Sequence, residues 1–348
     1  MSTLNEITQA PSSLSTLLPQ LPNLLAALPP TFLPVQLPLA FPSTIHHLNL
    51  LGTLHLLYAI LSSPAHIPYF AESNPRTSPK DMAIRGSMGL YLASEPDWDT
   101  RNLLSKASWK TISTEQIIEF LGVEVMREKE HETMKGIRVG ERWVEGSMVA
   151  DDVRDTLRAV AAGMTGTCLG EELLQLWETC SGDLGEFCSS LSTSIPIPSL
   201  ASSSETLSLI PLRLLYDLSK SPHLRLGISP SSPLPETSIP LSLPVLLYLG
   251  IISLPAGVAP ATKIETENEL DLIALALSSP ESGSSSTKTR ILRVDKAVYA
   301  TMEEEAARAC ADIHARAGNI SVIDLYRVFD RLEEVLAGLG VGVQVVPT

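Results

Sequence analysis

Charge is scarce in this chain, and one long stretch has none. Between Ile7 and Ala71 there is no Asp, Glu, Lys or Arg. Over all 348 residues, charged side chains make up 18% and aromatic ones 5%, against 44% hydrophobic. That balance belongs to a globular chain and excludes a disordered one. Basic residues are outnumbered, 25 Lys plus Arg against 39 Asp plus Glu, a net charge of −14. A non-specific duplex nucleic-acid binder needs a basic surface to neutralise phosphates, so that class is excluded. Cysteine is also sparse. Cys168, Cys180, Cys188 and Cys310 form no CxxC pair and no disulfide framework, which points to free thiols in a reducing, cytoplasmic setting.

The uncharged stretch does not read as a secretory signal, because Glu6 precedes it and Pro19, Pro22, Pro29, Pro30, Pro34 and Pro38 interrupt it. Residues 1–42 are expected to be a Pro/Leu-rich arm, extended apart from a helical turn at Leu24–Ala27. Ser43–Ser63 is expected to be a buried helix. Leu48, Leu51, Leu54, Leu57 and Leu61 recur at helical steps, and His46, His47, Asn49 and His55 are costly in lipid, so no membrane association is expected. His47 and His55 lie about 12 Å apart along such a helix, too far to share one metal ion. No metal or cofactor is expected.

Helical patterns dominate the rest of the chain: Met82–Ala93, Arg101–Ala107, Met148–Met164, Glu171–Trp177, Gly185–Leu191, Ile210–Lys220, Leu246–Ser253, Glu265–Ser278, Tyr299–Ala315 and Ser321–Gly338. Ser113 and Gln116 form a capping box before Ile117 and Ile118, with Gly122 as the stop. Val123–Arg142 is charged and turns back near Lys135-Gly136, while residues 341–346 are the one good strand pattern. The expected architecture is all-α: a large helical domain over 43–340, one body or two lobes, with flexible loops near 192–206 and 280–289 and no sheet beyond a small hairpin.

Few motifs carry chemistry. There is no P-loop, and Gly86-Ser87-Met88-Gly89 misses the nucleophile-elbow spacing. Gly163-Met-Thr-Gly166-Thr-Cys-Leu-Gly170 follows a helix and not a strand, which favours a turn over a phosphate cradle. The tryptophans read as packing residues, with Trp98, between two aspartates, the one most worth testing for exposure.

Several segments, read in order, resemble the queuosine-salvage family of queuosine 5′-phosphate N-glycosylases. They are Leu48-Asn-Leu-Leu51, Arg85-Gly-Ser-Met-Gly-Leu-Tyr-Leu-Ala93, Ser108–Ile118, Thr165-Gly166 with Leu184-Gly-Glu-Phe187, Leu243-Pro-Val-Leu-Leu-Tyr-Leu-Gly250 and Glu269-Leu-Asp-Leu-Ile273. The resemblance spans about residues 45 to 335 and implies a helical fold and hydrolysis of an N-glycosidic bond. The chain departs from it where chemistry is concentrated. The family's Asp-Tyr-Arg segment falls on Ile239-Pro-Leu-Ser-Leu-Pro244, and its later arginine falls on Ile273. Cleaving an N-glycosidic bond needs a carboxylate, and leucine or proline cannot serve.

Asp271 and then Glu269 are the replacements the sequence offers, and Arg85 is the candidate for a substrate phosphate. Two functions are expected in the alternative. One is a divergent N-glycosylase acting on a small nucleotide-like substrate. The other is a non-catalytic helical scaffold, with the arm before residue 42 binding a protein partner through its leucines.

Overall fold

The computed structural model describes residues 14–28, 41, 43–73, 78–94, 102–130, 138–181, 186–187, 190–191, 213–214, 217, 243–249, 290–294, 296–317, 320, 322–339 and 343–347. Helix predominates. The elements are α1 (Leu14–Ala27), α2 (Thr44–Leu61), a 3-10 turn (Pro64–His66), α3 (Ile67–Glu72), α4 (Pro79–Ala93), α5 (Lys106–Thr111), α6 (Thr114–Leu121), β1 (Met126–Glu130), β2 (Arg138–Arg142), α7 (Val144–Gly163), α8 (Leu169–Thr179), α9 (Leu243–Tyr248), β3 (Arg290–Val294), α10 (Lys296–Ala317), α11 (Val322–Leu339) and β4 (Val343–Pro347). They fall into two compact units, Leu33–Pro235, and Met1–Phe32 together with Glu236–Thr348.

In the unit of residues 33–235, α2 is the centre. It starts at Ser43, whose hydroxyl accepts from the His46 N–H, and is buried on every side from His47 to Leu57. α4, α7 and α8 pack around it. Leu48, Leu50, Leu54, Leu57 and Ile60 are sealed from solvent, each contributing about 2 kcal/mol by burial. Glycines let the neighbours approach. A Cβ on Gly170 would stand 2.3 Å from the Ile45 carbonyl oxygen, and one on Gly146 would stand 1.9 Å from that of Glu124.

Local signals place the surrounding elements. The Ser113 hydroxyl accepts from the Gln116 N–H, and the Gln116 side chain accepts from the Ser113 N–H at 2.9 Å, closing both halves of the capping box. Gly122 ends α6 in the left-handed region, at φ +68. β1 and β2 form the antiparallel hairpin, with Met126 opposite Arg142. Trp109 and Trp143 are buried, and Trp177 packs edge-on to Phe187; Trp98 lies outside the described residues.

The other unit builds its core from Leu17, Leu21 and Leu24 of α1, Val245, Leu246 and Leu247 of α9, and the inward faces of α10 and α11, including Met302, Ile313, Phe329 and Leu332. β3 runs parallel to β4, Arg290 opposite Val343. The two helices between them supply the crossover that a parallel pair requires.

Four expectations are corrected. α1 is a helix of fourteen residues, not a turn in extended chain. Its leucines recur at helical spacing and bury one stripe, while Pro19 and Pro22 lie on the exposed side. The helix expected over Arg101–Ala107 is α5, Lys106–Thr111. Asn102 holds a turn ahead of it by accepting from the Leu104 N–H at 2.9 Å, and Ser105 caps it. α9 starts before Pro244, which suits the first turn because its missing N–H would have no partner there. Finally, β3–β4 is a second strand pair beyond the expected hairpin. The expected loops near 192–206 and 280–289 and the helix at 265–278 lie outside the described residues.

The glycine contacts yield a stability prediction. Gly170→Ala drives a methyl into backbone and is expected to cost about 3 kcal/mol or more. Gly140→Ala meets only the flexible end of Met126, at 3.4 Å, and should stay within about 0.5 kcal/mol of the parent. Urea unfolding of both variants checks the contrast.

Candidate functional site

A helix buried all round must find partners for its polar side chains inside the protein. Asn49 donates to the Leu104 carbonyl at 3.1 Å and accepts from the Gly170 N–H at 3.2 Å, tying α2 to the turn before α5 and to the first turn of α8. Thr53 donates back to the Asn49 carbonyl. His47 stacks on Phe41, ring centroids 4.4 Å apart and nearly parallel. These contacts are structural.

His55 differs. Its Nε2 lies 3.0 Å from Asp217 Oδ2, and the two side chains are 1% and 3% exposed. With the carboxylate ionised, Asp217 can only accept and Nε2 carries the shared hydrogen. The Nδ1 of His55 is buried without a hydrogen-bond partner. One turn further along α2, the Arg213 guanidinium lies over the Tyr58 ring at 4.8 Å. A carboxylate, an imidazole and a cation therefore lie along one side of α2, the carboxylate and imidazole sealed from bulk water.

The Gly-rich segment before α8 is filled by its own carboxylates. Glu172 accepts from the N–H groups of Thr165 and Gly166, at 2.9 and 3.0 Å, and from the Thr165 hydroxyl. Glu171 accepts from the N–H and hydroxyl of Thr167. Burial pushes the Glu172 carboxyl up, but these hydrogen bonds and nearby Lys106 outweigh it and hold the group below its usual value. A phosphate there would have to displace two carboxylates, so the turn reading of this segment holds.

Burial sets the state of two further groups. Cys168 starts α8, and burial pushes its thiol up, away from the reactive thiolate. His66 is 1% exposed. Its Nε2 is 3.5 Å from Asp152 Oδ2, yet neither ring nitrogen has a hydrogen-bond partner. Burial lowers its pKa to about 4, and burial followed by Asp155 and Asp151 raises that of Asp152. The contact is thus a neutral imidazole beside a carboxyl group, not an ion pair.

Of the residues singled out from sequence, Arg85 lies exposed on α4, its guanidinium beside Gly122; a Cβ there would be 2.7 Å from Nη1. α4 meets α2 on the Leu57 side, through Gly86. Residues two apart on a helix point about 200° apart, so this contact at Leu57 lies on a different side of α2 from His55. Glu269 and Asp271 lie outside the described residues. Asp217 was not singled out. Its signal was a lone acid in the leucine-rich run Leu212–Leu218, which reads equally as one polar position on an amphipathic helix. Among the described residues no group of three or more His, Cys, Asp or Glu is placed to hold a metal ion, and no helix is long and apolar enough to cross a membrane.

His66 yields a pH prediction. Between about pH 6.5 and 4 the unfolded chain takes up a proton at His66 that the folded chain refuses. Stability is therefore full above that window and falls as pH drops through it, by roughly 3 kcal/mol from this group. Unfolding midpoints should fall over this range, and His66→Gln should flatten the dependence.

The chain matches no protein-family model, no curated protein and no solved structure.

Proposed function

We propose that this protein is a divergent hydrolase of N-glycosidic bonds acting on a nucleotide of the queuosine type. The observation that carries the reading is the buried His55–Asp217 pair. The resemblance demands a carboxylate where Ile239–Pro244 has none, and Asp217 is a carboxylate held within the helical unit by an imidazole. An oxocarbenium-like transition state gathers positive charge on the sugar. A carboxylate in a water-poor site stabilises that charge far more than one in bulk water. Asp271 and Glu269 remain candidates for the same role from their place in the resembling segment.

The second reading is a non-catalytic scaffold. The missing motif acid and the self-filled Gly-rich turn favour it. The leucines of the N-terminal segment speak less strongly for a partner, since Leu17, Leu21 and Leu24 are covered by the chain's own core.

The test is release of queuine from queuosine 5′-phosphate by the unmodified protein and by Asp217→Asn, Asp271→Asn and Glu269→Gln. Asp217→Asn is expected to lose about 100-fold or more in kcat, close to 3 kcal/mol of barrier. A loss confined to Asp271→Asn or Glu269→Gln moves the site to that segment. No release by the unmodified protein selects the scaffold reading.

A further inference from the structure

The hairpin β1–β2 carries an open edge. Among the described residues its sheet has two strands, and every residue of β2 is exposed. A two-stranded ribbon is marginal in water and gains from a third strand. The ladder shows which groups of β2 are left over. The Trp143 N–H donates to the Val125 carbonyl at 2.8 Å, just beyond the paired residues. Antiparallel ladders alternate bonded and non-bonded pairs, so the bonds to β1 are made by Val139 and Glu141. The backbone groups of Arg138, Gly140 and Arg142 point the other way, into solvent.

Protected edges carry a proline, a bulge or a covering element. β2 has no proline, its register with β1 runs without a bulge, and it is exposed throughout. Its central residue is Gly140, where an added Cβ would meet only Met126 Cε at 3.4 Å. Glycine in a strand leaves room for another backbone to lie close.

The side chains narrow the occupant. Arg138 and Arg142 share the face of Gly140, four positions and about 13 Å apart. Arg138 bridges to Glu128 at 3.2 Å, both groups largely exposed. Arg142 donates from Nε to Ser147 Oγ at 3.1 Å and, among the described residues, meets no carboxylate. A second copy of this chain is a poor third strand. The antiparallel register that pairs all three outward residues centres on Gly140 and sets the two arginines of one copy against those of the other, and like charges directly opposite are destabilising. A strand with acidic side chains at positions i and i+4 meets both arginines instead.

We propose that the free edge of β2 docks an extended acidic peptide segment of a partner protein, added antiparallel as a third strand. The backbone of Arg138, Gly140 and Arg142 supplies the affinity, and the two arginines select the sequence. The proposal stands independently of the hydrolase reading.

The probe is a labelled, end-blocked peptide, Ser-Glu-Thr-Tyr-Val-Glu-Ser, followed by fluorescence anisotropy with the full-length protein at low salt. Its two glutamates fall opposite Arg142 and Arg138, and its tyrosine beside Gly140. Replacing both glutamates by lysine should weaken binding about tenfold or more. Arg142→Glu should weaken the acidic peptide about fivefold and strengthen the lysine peptide. Gly140→Pro should abolish binding of both while the hairpin persists, because the N–H it removes points away from β1. Absence of binding up to about 1 mM peptide, or equal binding of the acidic and lysine peptides, overturns the proposal.

Residue-resolved amide exchange on the unmodified protein reads the same edge without a variant. The amides of Arg138, Gly140 and Arg142 should exchange fast in the free protein and slow on adding the acidic peptide, while those of Val139 and Glu141 are slow throughout. Protection of Gly140 already present in the free protein overturns the proposal: if it vanishes on dilution the edge belongs to a second copy, and if it persists the chain covers the edge itself.

Discussion

The constraint on which the residue 33–235 unit depends is the complete burial of α2. An amphipathic helix can turn its polar side chains to solvent, but α2 has no solvent side between His47 and Leu57. Its apolar positions supply the core, and Asn49, Thr53 and His55 must each be met by a neighbour or cost several kcal/mol. The partners they find organise the unit. Asn49 collects a carbonyl from one segment and an N–H from another, so two chain stretches are anchored by one amide. Thr53 turns inward on its own helix. His55 is met by a carboxylate from far along the chain.

That last solution is an expensive one if its purpose is stability alone. Burying a carboxylate costs desolvation even when it is hydrogen-bonded, and replacing buried polar partners by apolar residues of similar volume is often neutral or stabilising. A leucine pair would suit a helix otherwise built of leucines, yet the chain places a carboxylate and an imidazole there and leaves one imidazole nitrogen unsatisfied. The contrast with the turn before α8 is informative. There, too, polar groups cluster, but Glu171 and Glu172 satisfy every N–H from Thr165 to Thr167, leaving no capacity to bind. Residual hydrogen-bonding capacity in a sealed place separates the His55 pair from that turn.

The second unit shows how burial overrides local preference. Pro19 and Pro22 disfavour a helix interior by about 3 kcal/mol each. α1 forms regardless, since Leu17, Leu21 and Leu24 fit one stripe that α10 and α11 cover. The prolines sit on the open side, where water can reach the carbonyls they leave unpaired.

The sequence by itself determined the class of the fold and most of the helices. Leucine spacing marks α2, the Ser113–Gln116 box marks the start of α6, Gly122 marks its end, and the charged run through Lys135-Gly136 marks the hairpin. Each is a local device, complete within a few residues. What only the tertiary structure decided is whatever pairs residues distant in the chain. α1 needed the stripe on α10 and α11, and β3 needed β4 beyond two intervening helices. Arg85 was read from a resembling segment, and packing set its guanidinium beside Gly122. The pairing of His55 with Asp217 spans 162 positions. Neither residue carries a local signature, because a lone histidine and a lone aspartate among leucines become a site only when folding removes the water between them.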